Sequence, residues 1–159
     1  MDCVFIRHGE ASSHAVSDSR RPLTPRGQWQ VERAADWLGA HWRPQRIITS
    51  PYLRALQTAD AFSAVYPEVP RDNHADFLTP DTPLTELTEA LSAYDEARVL
   101  LVGHNPLFTE LLRWFCGERV GGALAPASMA FIQLPVVARD VGTLHWLRHA
   151  PDFDVNAGA

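Results

Sequence analysis

Cysteine is scarce in this sequence of 159 residues, and acidic side chains outnumber basic ones. The two cysteines, Cys3 and Cys116, lie far apart and match no metal-ligand spacing. They define no disulfide scaffold, and both are expected as buried, reduced thiols. The net charge of −5 argues against the broad basic field that holds nucleic acid. It leaves room for a local anion pocket, because a few arginines in a low-dielectric cleft concentrate their field. Long apolar runs are missing as well: none reaches the roughly 18 residues of a membrane span. The opening Met1-Asp2-Cys3-Val4 lacks the basic stretch that begins a signal peptide. Internal repeats and low-complexity stretches are absent. The expectation is a soluble, cytoplasmic monomer with neither nucleic acid nor membrane as partner, folded as one domain over residues 1–159.

What is present is an alternation of strand-like and helix-like segments, which predicts an α/β sandwich. Residues 3–7 form a short apolar run of β-formers, and residues 9–23 read as a polar loop. Thr24-Pro25 opens a helix, with Thr24 as N-cap and Pro25 in the first helical position. Val31, Ala34, Ala35 and Leu38 give that helix one apolar face. A strand is expected over 46–50 and a helix over 51–66, with Ala55, Ala59 and Phe62 on one side. The Pro- and Asp-rich stretch 67–83 reads as loop, with room for a short strand. A helix follows over 84–94, a buried strand over 99–102, and a helix over 106–116 ended by Gly117. Two late strands, 130–134 and 143–147, suit a hairpin at a sheet edge. The strands at 3–7 and 99–102 each run into a histidine next to a glycine, in Arg7-His8-Gly9 and Gly103-His104-Asn105. Ligands of open α/β sheets sit beyond the carboxyl ends of the strands, where both histidines fall.

His8 alone is weak evidence in a chain with seven histidines. Its setting gives it meaning. Arg7 puts a cation beside it, and Gly9 permits close backbone approach to a ligand. His104 precedes Pro106 at the start of a helix whose N-terminus favours anions. Arg54 begins the helix after the second strand. Cationic and donor groups therefore arrive from three strand ends. His14, His41, His74, His145 and His149 have no partner at metal-ligand spacing, so no metal and no cofactor are expected. Trp29, Trp37, Trp42, Trp114 and Trp146 are expected in the core or at its rim.

Four blocks carry a family resemblance: Phe5-Ile6-Arg7-His8-Gly9-Glu10-Ala11, Arg21-Pro22-Leu23-Thr24, Ser50-Pro51-Tyr52-Leu53-Arg54-Ala55-Leu56-Gln57-Thr58-Ala59 and Val102-Gly103-His104-Asn105-Pro106. Together, in this order and spacing, they resemble the histidine phosphatase superfamily, and the run at residues 17–24 favours its short branch of SixA-type phosphohistidine phosphatases. The resemblance covers residues 3–147. It implies a phosphoglycerate mutase-like fold: a three-layer α/β/α sandwich with a mostly parallel central sheet and no large lid insertion. It implies a metal-independent phosphatase that takes the phosphoryl group onto His8 and hydrolyses the phosphohistidine with water. Arg7, Arg54 and His104 then complete the catalytic set and bind phosphate, with Arg21 and Asn105 as further candidates for phosphate binding; Asn105 also suits a helix cap. The chemistry agrees, since phosphoryl transfer depends on positioning and charge stabilisation and guanidinium groups hold phosphoryl oxygens bidentately.

One expected group is out of place. Larger members carry a glutamate after the third strand as general acid, and Phe77 stands where it would align. Asp76, Asp81 and Glu10 are the nearby carboxylates. An alkoxide leaves poorly without a proton donor, whereas the imidazole of phosphohistidine needs less help. With 49 residues between Arg54 and His104, there is little material for a lid. The expected substrate is phosphohistidine on a phosphotransfer protein. Two alternatives stay open: a small-molecule phosphomonoesterase or mutase-like enzyme of the same superfamily, which needs a working acid, and a silent phosphohistidine-binding module.

Overall fold

The computed structural model describes residues 1–118 and 123–153. Its strands are β1 (Asp2–Arg7), β2 (Arg46–Thr49), β3 (Arg71–Asp72), β4 (Arg98–Gly103), β5 (Met129–Gln133) and β6 (Thr143–Arg148). Its α-helices are α1 (Pro25–His41), α2 (Leu53–Val65), α3 (Leu84–Leu91) and α4 (Leu107–Cys116). Single 3-10 turns lie at Asp18–Arg20 and Asp76–Leu78. The strands form one sheet in the order β3-β2-β4-β1-β5-β6. The first four are parallel, β5 runs antiparallel to β1, and β6 antiparallel to β5. The mostly parallel sheet and the edge hairpin are both as expected.

Period-two alternation splits the sheet side chains between two cores. Val4, Ile6, Ile47, Leu100 and Val102 pack with α1 and α2, whereas Cys3, Phe5, Ile48, Val99 and Leu101 pack with α3 and α4. The result is the three-layer sandwich. β1 and β4 are apolar on both faces because each is covered on both sides. Thr24 caps α1 as its sequence predicts: its hydroxyl accepts from Gly27 N–H at 2.9 Å. α2 starts at Leu53, two residues later than expected, because Tyr52 keeps an extended backbone (ψ 140°). α4 starts at Leu107 with Pro106 as N-cap, so Asn105 lies outside the helix and does not cap it. Cys3 is buried and Cys116 half-buried, and both are free. No helix among the described residues is long and apolar enough to cross a membrane.

Strand pairing places the site. Arg7 is opposite Gly103 and Thr49 is opposite Val102 in the parallel ladders. The pairing continues one residue further, with His8 N–H donating to Gly103 O at 2.9 Å and Ser50 N–H to Val102 O at 3.0 Å. Three adjacent strands thus deliver His8, Ser50 and His104 to one edge. The segment between α2 and β4 sends α3 behind the sheet, where Leu87 and Leu91 join the α4 core.

Candidate active site

His8 follows β1 and is 8% exposed. Its Nδ1–H donates to the carbonyl of Gly9 at 2.7 Å. That bond leaves Nε2 without a hydrogen, and Nε2 accepts from Arg54 Nε–H at 3.2 Å. The neutral, Nδ1-protonated ring is the form a nitrogen nucleophile needs. Burial, opposed by the Gly9 bond and reinforced by the charges of Arg54, Arg7 and Arg21, pushes its pKa down to about 4. A buried cation among guanidinium groups is disfavoured for both reasons.

Gly9 is required by the close approach of α1. A Cβ there would lie 2.7 Å from Gly27 O and 2.8 Å from Val31 Cγ1, and a Cβ on Gly27 would lie 2.0 Å from Glu10 O. The close neighbour that Gly9 admits is therefore the first turn of α1. Thr58 on α2 clamps the same point: its hydroxyl accepts from Gly9 N–H at 3.3 Å and donates to Arg54 O at 2.8 Å.

Arg54, in the first turn of α2, is 4% exposed. Its Nη1 donates to Asp18 O at 2.6 Å and its Nη2 to Asp18 Oδ2 at 3.2 Å. The guanidinium carbon lies 5.1 Å from the centre of the Tyr52 ring. Arg7, at the end of β1, donates from Nη1 to Leu124 O at 2.8 Å, and its buried Nε has no partner among the described residues. Burial, followed by the positive charge of Arg54, lowers its pKa, but a guanidinium stays protonated in a protein. His104, 1% exposed, places its ring 5.1 Å from that of His8. Its Nε2 lies 2.8 Å from Ser50 Oγ, and its buried Nδ1 has no partner among the described residues. Burial, then His8 and the two arginines, push its pKa down to about 2. His8, Arg54, Arg7 and His104 are thus brought together.

Arg21 is at the rim. It donates from Nε to Ser12 O at 2.7 Å and from Nη1 to Asp18 Oδ1 at 3.0 Å. Asn105 Nδ2 donates to Leu124 O at 2.7 Å, the carbonyl that Arg7 also uses, and its Oδ1 accepts from Thr109 at 3.0 Å. Asn105 therefore braces the Arg7 anchor. Asp18 was not singled out in the sequence, although its two oxygens join Arg21 to Arg54. The Arg21 hydrogen bond leads the causes that depress its pKa, so it is an ionised tether and a poor proton donor. Its only sequence signal is its place in the 17–24 run. Ser50 likewise has its place at the start of the Ser50-Pro51-Tyr52-Leu53-Arg54 block as its only sequence signal.

The remaining carboxylates lie elsewhere. Glu10 accepts from Thr24 Oγ1 at 3.2 Å and pairs with Arg26 at 3.7 Å. Asp76 and Asp81 are exposed. Phe77 packs into the core against Tyr94, with ring centres 6.4 Å apart. Of the other histidines, His41 stacks on Trp37, His145 on Phe131, and His149 bonds Ser128. No group of three or more His, Cys, Asp or Glu that could hold a metal occurs among the described residues.

A family profile, the histidine phosphatase superfamily (branch 1), matches residues 3–76. The chain is 30% identical over 153 residues to the phosphohistidine phosphatase SixA of Escherichia coli (strain K12), covering 92% of each. The chain belongs to the histidine phosphatase superfamily. It is also 30% identical over 142 residues to the phosphohistidine phosphatase SixA homolog of Haemophilus influenzae, covering 82% of this chain and 86% of that one. The solved structure of the protein histidine phosphatase SixA complexed with tungstate superposes with a TM-score of 0.79 at 29% identity, covering 92% of this chain and 96% of that one. Superfamily membership makes the protein a phosphatase.

Proposed function

We propose that this phosphatase removes the phosphoryl group from phosphohistidine on a partner protein, through a covalent intermediate on His8. The observation that carries the proposal is the His8 ring: Nδ1–H tied to Gly9 O at 2.7 Å, with the Nε2 lone pair turned to Arg54. In the first step Nε2 attacks phosphorus. The P–N bond of the substrate breaks, its electron pair returns to the departing imidazole, and that nitrogen takes a proton from water. In the second step water attacks phosphorus, the P–Nε2 bond breaks, and its pair returns to Nε2 as phosphate leaves. Arg54 exchanges its contact with Nε2 for phosphoryl oxygens. Arg7 and His104 hold the others, and Arg21 steers the anion from the rim, by charge-assisted bonds that strengthen in the transition state.

The substrate class follows from the missing acid. Glu10 is held by Thr24 and Arg26, and Asp18 is held ionised between two arginines. An alkoxide leaving group requires a proton donor that neither supplies, whereas the P–N bond of phosphohistidine is weak. The names of the relatives, both phosphohistidine phosphatases, and the tungstate held by the structural neighbour support the same reading. We place the activity in the cytoplasm on a monomer, acting on a histidine-phosphorylated phosphotransfer protein, with the free Cys3 and Cys116 in keeping with a reducing compartment.

The test incubates the protein, with a chelator present, with a histidine-phosphorylated phosphotransfer domain and separately with p-nitrophenyl phosphate. The expected result is fast loss of histidine phosphate, much faster than ester hydrolysis and abolished in His8→Ala. Efficient ester hydrolysis beside an inert phosphoprotein would move the enzyme to small-molecule substrates.

A further inference from the structure

We infer that Ser50 is a positioning residue for the phosphoryl site: its hydroxyl donates to His104 Nε2 and so holds His104 as the imidazole tautomer whose Nδ1–H donates to a phosphoryl oxygen. The inference rests on the reading of His104 as a phosphoryl ligand and adds to it the atom used and the residue that selects it.

The argument is an inventory of hydrogens. Ser50 is fully buried, so its hydroxyl is satisfied by protein. Two groups lie within reach. Tyr52 N–H, at 3.3 Å, can only donate, so Oγ accepts there. His104 Nε2, at 2.8 Å, is the other. A serine hydroxyl carries one hydrogen and needs one acceptor for it, and the Nε2 lone pair is that acceptor. Hydrogen on Nε2 would force Oγ to accept twice and would bury the serine hydrogen unpaired. An imidazolium would do the same and add a third positive charge beside Arg7 and Arg54.

With Nε2 engaged, the ring hydrogen sits on Nδ1. That atom is buried and has no partner among the described residues. Buried donors are rarely left unpaired in native proteins. The His104 ring centre lies 5.1 Å from that of His8 and 5.2 Å from that of Tyr52, whose ring meets it edge-on. An oxyanion seated against His8 Nε2 is the acceptor that completes the inventory. The two histidines therefore carry their hydrogen on the same atom for opposite ends. His8 uses Nδ1–H as its anchor and reacts through Nε2; His104 is anchored through Nε2 and donates through Nδ1–H. Sheet order makes this possible, because Ser50 N–H bonds Val102 O, two residues before His104.

The experiment reads long-range proton–nitrogen correlations of the imidazoles in the full-length protein labelled at histidine, with His104→Gln to assign the signal. The expected spectrum has a protonated Nδ1 and an unprotonated Nε2 on His104 from pH 5 to 8. Adding inorganic tungstate shifts the Nδ1 proton. Ser50→Ala populates the Nε2–H form and weakens tungstate binding roughly five-fold, as the donating tautomer becomes the minority. Ser50→Thr, which keeps the hydroxyl, restores both. A wild-type His104 protonated on Nε2, a Nδ1 proton unmoved by tungstate, or a Ser50→Ala protein with unchanged tautomer and affinity would overturn the assignment. The tautomer is read without turnover, so a protein that leaves phosphohistidine untouched refutes the proposed function while the spectrum still decides the role of Ser50.

Discussion

At the scale of single residues, the site works by keeping two imidazoles neutral beside two guanidinium groups. Burial is the leading cause for both, and it lowers the His8 pKa to about 4. Histidine in an unfolded chain titrates near 6.5. Between those values the unfolded chain binds protons that the native site refuses, so stability from these groups is present above about pH 6.5 and is lost as pH falls towards 4. Urea denaturation at pH 7 and pH 5 should show the loss, and His8→Gln should reduce it. Direct titration of His8 by NMR should give an inflection near 4 and none near 6.5. Asp18 is the residue-scale element that composition conceals. Its carboxylate, 57% exposed, bridges a buried and a rim arginine. Asp18→Ala should cost on the order of 1 kcal/mol of stability, because the carboxylate is exposed and the backbone carbonyl of residue 18 still holds the buried Arg54. It should lower kcat several-fold because Arg54 loses its Nη2 contact to the carboxylate and, at residue 18, keeps only the backbone carbonyl, a split that steady-state kinetics and thermal melting separate.

At the scale of elements, the first turn of α1 and the segment after β1 are one unit. Gly27→Ala would push a methyl group against Glu10 O. The expected cost is about 1–3 kcal/mol, the range for overpacking, measured by chemical denaturation. Activity should fall as well, because the displaced chain carries the carbonyl that orients His8. Thr24→Ala should cost about 1 kcal/mol through the lost cap with little effect on turnover. The long elements were legible for physical reasons. β1 and β4 are continuous apolar runs because both faces are buried, and α1 announces itself with Thr24-Pro25. β3 was not assignable from its residues. It is two residues long, and its side chains are held by pairs invisible in sequence, Asp72 with Arg46 at 2.9 Å and Arg71 with Asp60 at 2.7 Å. Arg7, His8, Arg54 and His104 were readable because each stands next to a strand end or a helix start. Ser50 and Asp18 were not, because their roles depend on which strands are neighbours and how residues 9–23 fold back over α2.

At the scale of the whole molecule, the chain is acidic, contains no lysine, and carries every basic side chain as arginine. A guanidinium does not deprotonate in the working range, so anion capture should vary little between pH 6 and 9. Product inhibition by inorganic phosphate, corrected for the ionisation of phosphate itself, should stay within about two-fold over that range; a larger change would point to a titrating histidine in the resting site. Net acidity predicts slower association with acidic phosphoproteins as salt is removed and the reverse for basic ones. Stopped-flow encounter rates at two ionic strengths would separate these.

The carbonyl that anchors His8 belongs to a peptide bond, while the oxygen that anchors His104 belongs to a side chain. The two therefore differ in how they are inherited. A single codon change can erase the hydroxyl of Ser50, but none can erase the carbonyl of residue 9. The aim of the His8 ring is written into the polymer itself and survives any substitution the backbone tolerates. Substitution at residue 50 therefore frees the ring of His104 while the ring of His8 keeps its anchor.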